Sequence, residues 1–576
     1  MTLPVPIPAR QWLRSQWGLI VLVAAQAVLA TALNYYSRDQ WPRDDAITYL
    51  SQGVLLWLDS FPPDPNRPIL YSFILGLGMK LCGLSFFWLR SFQVAGLCVT
   101  TLLLYRLARI MAGKKAALLA VIFFAVFPDT VFYANFLYRE SVTMLLLMAT
   151  LNLAQHMLER PKEYVRPLYT GAAAGLLVML KPEFGTLMAL LALAGLIAAI
   201  RARDFRGRVL PWIVCGVMAL ATTLPALLAA RAAFGEWIFI CVNTGKYYSL
   251  SYCDALETGD PAEQNKSYRE KDSARFARVN PKANQIFFFS DPSIPYGERD
   301  RWLLNKAKEC VRQNPKQAVT LWVNRALGTI FWTDQAAASW MGDGDFGPGW
   351  SALFVQTLRA LALAIDLAVV LLLGPGLYAL GKKPEGRLAA LTIIWFVAYY
   401  STAYYRVRLR LPIWPVFILA AAAGFFQSRE IFQSGSTRAR AALILSAALA
   451  LIAFDIIGQP LGSPLFNQES WLRQKTGEGI SADHKRGVLI LLADNMEQAG
   501  RLEAISEELG PFIRLRKKSL SADLVIAAGD HYFQEKKYSV AAFFYGMARE
   551  LWGGEKAAGR HLSGQSLFPP EIRTRP

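Results

Sequence analysis

The stretch RDDAITYLSQGVLLW, residues 43–57, lies just beyond the first strongly apolar run of the chain, 18–34. Two adjacent carboxylates, Asp44 and Asp45, open it, and Tyr49, Leu50, Gly53, Val54, Trp57 and Leu58 then recur at helical spacing. A helix with one apolar face, entered by acids at the edge of a span, is expected to lie on a membrane surface and not to cross it. Whether residues 36–90 stay on one side decides the direction of every later segment.

Composition sets the class. Of 576 residues 54% are hydrophobic and 18% charged, far more apolar than a soluble domain, and the apolar residues fall in runs near the ~20 that a spanning helix needs. The expected fold is therefore an all-α polytopic membrane protein. The net charge of +18 is carried by Lys and Arg clustered in short loops between apolar runs. That is how topogenic charge is placed, so no nucleic-acid partner is expected. Arg10 and Arg14 before the first run mark it as a signal-anchor with a cytoplasmic N-terminus.

Charge fixes the path. If ILYSFILGLGMKLCG (69–83) crossed the membrane, the next span would deliver YRLARIMAGKK, with Arg106, Arg109, Lys114 and Lys115, to the outside, against the positive-inside rule. Residues 36–90 thus form a first external loop with interfacial helices. Spans at about 91–110, 116–133 and 141–158 follow, and 168–200 is a hairpin whose KPEF turn (181–184) faces out, because its end, RARDFRGR, is basic. After a span at about 209–233, residues 234–348 are too long for a connector and form a large external loop. Spans at about 352–380, 388–405 and 411–427 complete a membrane module, 1–430; an inside loop and last span occupy 431–458, and 459–576 is an external helical domain. The total is about eleven spans.

On this path Asp44, Asp45, Arg67, Glu140, Lys181, Glu183, Arg406, Arg408 and Arg410 reach one membrane boundary from widely separated segments. Charges at the edge of hydrocarbon are paired with one another or used for function. Carboxylates beside a group of cations suit an anionic substrate held at the membrane surface.

At these residues the chain resembles a known family. RDDAITYL, NRPILY (66–71), the acidic Glu140 opening a span, Lys181-Pro182 and RLRLPIWP (408–415) resemble, in order, motifs of the GT-C glycosyltransferases. They are most similar to the family 39-like group, which includes protein O-mannosyltransferases and the bacterial lipid A aminoarabinose transferase. The resemblance covers about residues 15–430 and implies a GT-C-like helical bundle in a bacterial inner membrane, its C-terminal domain periplasmic. The family's acidic pair is Asp-Glu, whereas Asp45 is preceded by Asp44 and followed by Ala46; the spacing to Tyr49 favours Asp45.

The resemblance implies a polyprenyl-phosphate-linked sugar as donor and a lipid, glycan or protein acceptor. Such a leaving group needs cations more than a general acid. Arg67, Lys181, Arg406, Arg408 and Arg410 are the candidate phosphate ligands, and Asp45 or Asp44 the base that takes the acceptor proton. Glu140, Tyr49 and Glu183 are expected to bind acceptor or orient a cation. One base implies single displacement with inversion. Paired carboxylates could instead hold a divalent metal. A polysaccharide polymerase or ligase using polyprenyl-diphosphate oligosaccharides, or a transporter, are the alternative classes.

Cys241, Cys253 and Cys310 fall in the large external loop, where one disulfide among them is permitted and the pairing is open. Cys82, Cys98 and Cys215 sit in apolar contexts and are expected in the core. Within 459–576, Gly529, Tyr532, Ala541, Tyr545 and Ala548 match the spacing of one tetratricopeptide-like repeat at about 522–555. Such a module would bind a protein partner or pack on the external loop.

Overall fold

The structure, a computed structural model, describes residues 9–36, 45–60, 65, 67–160, 163, 165–202, 209–241, 244–249, 252, 295–330, 352–402, 407–433, 482–515, 517 and 520–552. Among the described residues every regular element is a helix, the form in which a chain satisfies its own backbone hydrogen bonds in lipid. The order is α1 (Ala9–Tyr36), α2 (Asp45–Trp57), α3 (Ile69–Cys82), α4 (Phe86–Ala112), α5 (Lys114–Val126), α6 (Pro128–Tyr133), α7 (Glu140–Glu159), α8 (Val165–Leu180), α9 (Phe184–Ala202) and α10 (Leu210–Phe234). The large loop contributes α11 (Thr244–Ser249), α12 (Tyr296–Gln313) and α13 (Pro315–Ile330). Then come α14 (Ala352–Lys382), α15 (Arg387–Thr402), a tighter turn at Val407–Ile413 and α16 (Trp414–Gln433). The C-terminal module holds α17 (Ala482–Gln498), α18 (Gly510–Leu515), α19 (Ala522–Gln534) and α20 (Tyr538–Trp552).

Among these, six are long and apolar enough to cross a membrane: Trp17–Tyr36, Phe86–Ala112, Glu140–Glu159, Leu210–Phe234, Ala360–Lys382 and Leu409–Ser428. Expected spans also fall on the shorter α5, α8, α9 and α15, while the last one, 441–458, lies outside the described residues. The centre of the bundle is α16, buried along Val416–Ala423. It can cross α14 closely because both carry glycine at the contact: a Cβ on Gly376 would stand 2.0 Å from the Ala420 carbonyl oxygen. Small residues at such crossings let backbones meet where no hydrophobic force drives helices together. On the periphery, Ile213, Val217, Leu220, Leu224 and Leu228 line one exposed stripe of α10, as a lipid-facing side would.

The helices α2 and α3 depart from the expectation in one respect. The apolar face of α2 does not lie on a membrane: Tyr49, Leu50, Val54, Leu55 and Leu58 are buried against protein. Helical periodicity reports that a face is covered, not what covers it. It is α3 that leaves Phe73, Leu77 and Leu81 exposed in a row, beside Trp88 and Phe92 of α4. The two loop helices cross at Gly53 and Gly76, where a Cβ on Gly76 would approach the Gly53 carbonyl oxygen to 2.9 Å. Next to this crossing Ser72 donates to Gln52 at 2.8 Å inside the core.

The C-terminal module docks on the other side of α2. Asn495 of α17 donates to the Ser51 hydroxyl at 2.7 Å, and Phe512 of α18 meets Phe86 edge-on at 5.2 Å between ring centres. An antiparallel helix pair, α19 and α20, stands where the repeat is expected, fastened to α17 by the Tyr532 hydroxyl, which donates to the Ile490 carbonyl at 2.7 Å.

In the large loop, Cys310 is disulfide-bonded, while Cys241 remains a thiol; Cys253 lies outside the described residues. Cys215 is buried as expected, whereas Cys82 and Cys98 are only partly so.

Candidate functional site

The site is built from helix ends. Asp45 is the first residue of α2, where a carboxylate also meets the partial positive charge of the helix N-terminus. The loop before α3 brings Arg67 back to it, and the guanidinium Nη2 donates to Asp45 Oδ1. Pro68 then starts α3 in extended geometry, which fixes where Arg67 leaves the loop. The pair is four-fifths buried, with 20% of the Arg67 side chain and 16% of that of Asp45 exposed.

One turn along α2, Tyr49 joins this pair to the rest. Its ring is faced by two guanidiniums, Arg67 and Arg139, each with its carbon 5.8 Å from the ring centre. Tyr71 packs against the same ring edge-on at 5.1 Å. Burial pushes the Tyr49 phenol well above its usual range, and the two guanidiniums only partly offset this. The hydroxyl therefore stays protonated at neutral pH and is no base.

Arg139 immediately precedes α7 and donates to the Leu180 carbonyl at 2.9 Å, which places the end of α8 beside it. The chain breaks there at Lys181-Pro182, since proline cannot continue α8, and the turn buries Lys181 completely. Its ammonium lies 3.9 Å from Glu140 Oε1 and 4.0 Å from Glu183 Oε1. Glu183 also accepts a hydrogen bond from the Tyr400 hydroxyl of α15 at 2.8 Å, and Trp395 donates to Thr186 at 2.9 Å, pinning α15 to the same turn. Cys241, from the segment after α10, feels Arg139, Glu183 and Arg67; burial pushes its thiol up to about 12.

Asp45, Tyr49, Arg67, Glu140, Lys181 and Glu183 are thus brought into one continuous network. Arg139, Tyr400 and Cys241 join it, although the sequence pattern does not single them out. Arg410 stands apart. Its guanidinium is held by Asp366 of α14, donates to the Ile330 carbonyl at 3.1 Å and stacks 4.0 Å over Trp414. Asp44, Arg406 and the side chain of Arg408 lie outside the described residues. As for a divalent metal, among the described residues no group of three His, Cys, Asp or Glu side chains converges, and Asp45 already faces a cation in Arg67.

Residues 66–228 match the family model described as dolichyl-phosphate-mannose-protein mannosyltransferase. The match takes in NRPILY, Glu140 and Lys181-Pro182, while RDDAITYL and RLRLPIWP lie outside it. It takes in Arg67, Arg139, Glu140, Lys181 and Glu183. No curated protein is similar enough to count as a match. Among solved structures, the archaeal oligosaccharyltransferase AglB of Archaeoglobus fulgidus, in complex with an inhibitory peptide and a dolichol-phosphate, is 14% identical at a TM-score of 0.43, over 85% of this chain and 59% of that one. ArnT of Cupriavidus metallidurans bound to undecaprenyl phosphate is 15% identical at a TM-score of 0.35, over 77% of this chain and 88% of that one. The chain therefore spans 59% of the length of the archaeal enzyme.

Proposed function

We propose that this protein is a glycosyltransferase of the bacterial inner membrane that moves a sugar from a polyprenyl-phosphate carrier to an acceptor at its periplasmic face. The observation that carries this reading is the junction of Asp45–Arg67 with Lys181, Glu140 and Glu183 through Tyr49 and Arg139. Separate chain segments converge there, at the starts of α2, α3 and α7 and the end of α8.

The chemistry suits the residues. The acceptor oxygen attacks the anomeric carbon while the bond from that carbon to the phosphate oxygen breaks, and the electron pair leaves with the lipid phosphate. Asp45 receives the acceptor proton, which makes the hydroxyl a competent nucleophile in the transition state. Charge gathers on the departing phosphate, and Arg67 absorbs it: a guanidinium has five donors in a planar fork and can hold the Asp45 carboxylate and a phosphate oxygen together. Lys181 adds a buried positive charge, directed by its two carboxylates. Glu140 and Glu183 serve to orient it and the acceptor. With one base and no second carboxylate assigned as a nucleophile, the product has inverted configuration.

Membranes containing the full chain are given a panel of polyprenyl-phosphate monosaccharides and a polyprenyl-diphosphate oligosaccharide. Transfer from a monophosphate, lost by about 10²- to 10⁴-fold in Asp45→Asn at equal expression, is expected. Activity with the diphosphate donor alone, or an Asp45→Asn protein as active as the wild type, would sink the proposal.

A further inference from the structure

The C-terminal module lies outside the segment matched by the family model, yet it touches the first external loop at three places. Asn495, itself buried, donates to Ser51 in the middle of α2. Glu508 accepts the backbone N–H of Leu84 in the turn between α3 and α4, and Phe512 closes on Phe86 at the start of α4. Near the far end of α2, Arg501 adds its charge to that of Lys80 beside Asp59.

Isolated helices of about 12–15 residues are marginal, so α2, with 13, takes its position from what packs on it. Ser51, Gln52 and Gly53 are consecutive and point around the helix: Gln52 and Gly53 face α3, and Ser51 faces α17. The helix is held from both sides, with Asp45 and Tyr49 at its front end.

We propose that the C-terminal module is a brace for this helix, and that Asn495 and Phe512 are positioning residues for sugar transfer. Docked, the module keeps Asp45 and Tyr49 in register with Arg139 and Lys181; undocked, it leaves α2 held on the side of α3, Arg67 and Arg139 only. The positioning role rests on the transferase reading above. The docking does not.

The test uses full-length protein in detergent and reads two quantities: hydrogen exchange over residues 45–57 and transfer kinetics. Asn495→Ala with Phe512→Ala should speed exchange there and lower kcat by about tenfold or more while the donor KM moves by less than about threefold, since misplacement of a reacting group acts on the chemical step. A tether, Ser51→Cys with Asn495→Cys, added to Phe512→Ala should restore kcat when oxidised and not when reduced. If exchange over 45–57 stays at the wild-type rate, or rises with kcat unchanged, the brace is overturned. If exchange rises on undocking but the wild type transfers sugar from no donor, the transferase reading falls, and the positioning role with it, while the docking stands.

Discussion

Two Asp–Arg pairs in this molecule have the same chemistry and opposite surroundings. Asp45–Arg67 sits at a helix N-terminus, with 16% and 20% of its side chains exposed, and opens onto the Tyr49–Arg139 network. Asp366–Arg410 is enclosed in the bundle, 8% and 4% exposed, with a carbonyl and an indole ring completing the arginine's partners. A pair that can be reached is open to a ligand, and on the proposed function Arg67 holds Asp45 and a phosphate oxygen together. A pair that is enclosed fastens helices: Arg410 ties the end of α13 to α14 and to the start of α16. Within one fold, therefore, the same pair of residue types differs in location and access.

The largest effect that sharpens this contrast comes from neutralising each acid. Asp45→Asn should cut transfer by about 10²- to 10⁴-fold with thermal unfolding unchanged. Asp366→Asn should instead destabilise by about 3–5 kcal/mol, because it leaves Arg410 buried without its counter-charge; both are read by unfolding in detergent and by transfer rate. Replacing both members, Asp366→Leu with Arg410→Met, should restore stability and activity together. A stable but inactive double variant would put Arg410 back among the donor ligands and break the comparison.

Lys181 lies between the two cases, wholly buried yet part of the site. Lys181→Met should lower the unfolding free energy by about 3 kcal/mol, since it leaves Glu140 and Glu183 facing each other without a cation, and should abolish transfer as well. Unchanged stability would mean that the two acids are held by other groups. A smaller loss, about 1–3 kcal/mol, is expected for Gly76→Ala, whose Cβ would press on the Gly53 carbonyl and lift α2 away from α3. The mildest test concerns Cys241. With its thiol pushed up to about 12 by burial, the reactive thiolate is scarce at any lower pH. Iodoacetamide at neutral or mildly alkaline pH should leave it unmodified in the folded protein, and mass spectrometry of the labelled peptide decides.

Much of the site is legible in the amino-acid sequence. Asp45, Arg67, Glu140, Lys181 and Glu183 stand out because charge at the edge of an apolar run is costly, and positive-inside counting places their segments on one face. Arg139 carries the same signal, but a single basic residue at the mouth of a span reads as an anchor. Asp366 gives a stronger signal that the loop motifs overshadow: an acid in the middle of the 352–380 run demands a partner, and that partner is Arg410. Tyr400 leaves no trace in the sequence, since an aromatic at the end of a span is ordinary there, and Cys241 stands out only as a candidate for a disulfide.

By itself the sequence determined the class and the order of the helices, because the transfer of apolar and charged groups between water and lipid depends on composition and spacing alone. Only the tertiary structure decided which carboxylate meets which cation, that protein and not membrane covers α2, and that the C-terminal helices press on α2 and the start of α4. Those outcomes depend on contacts between segments hundreds of residues apart, as Asn495 is from Ser51, and no local pattern records them.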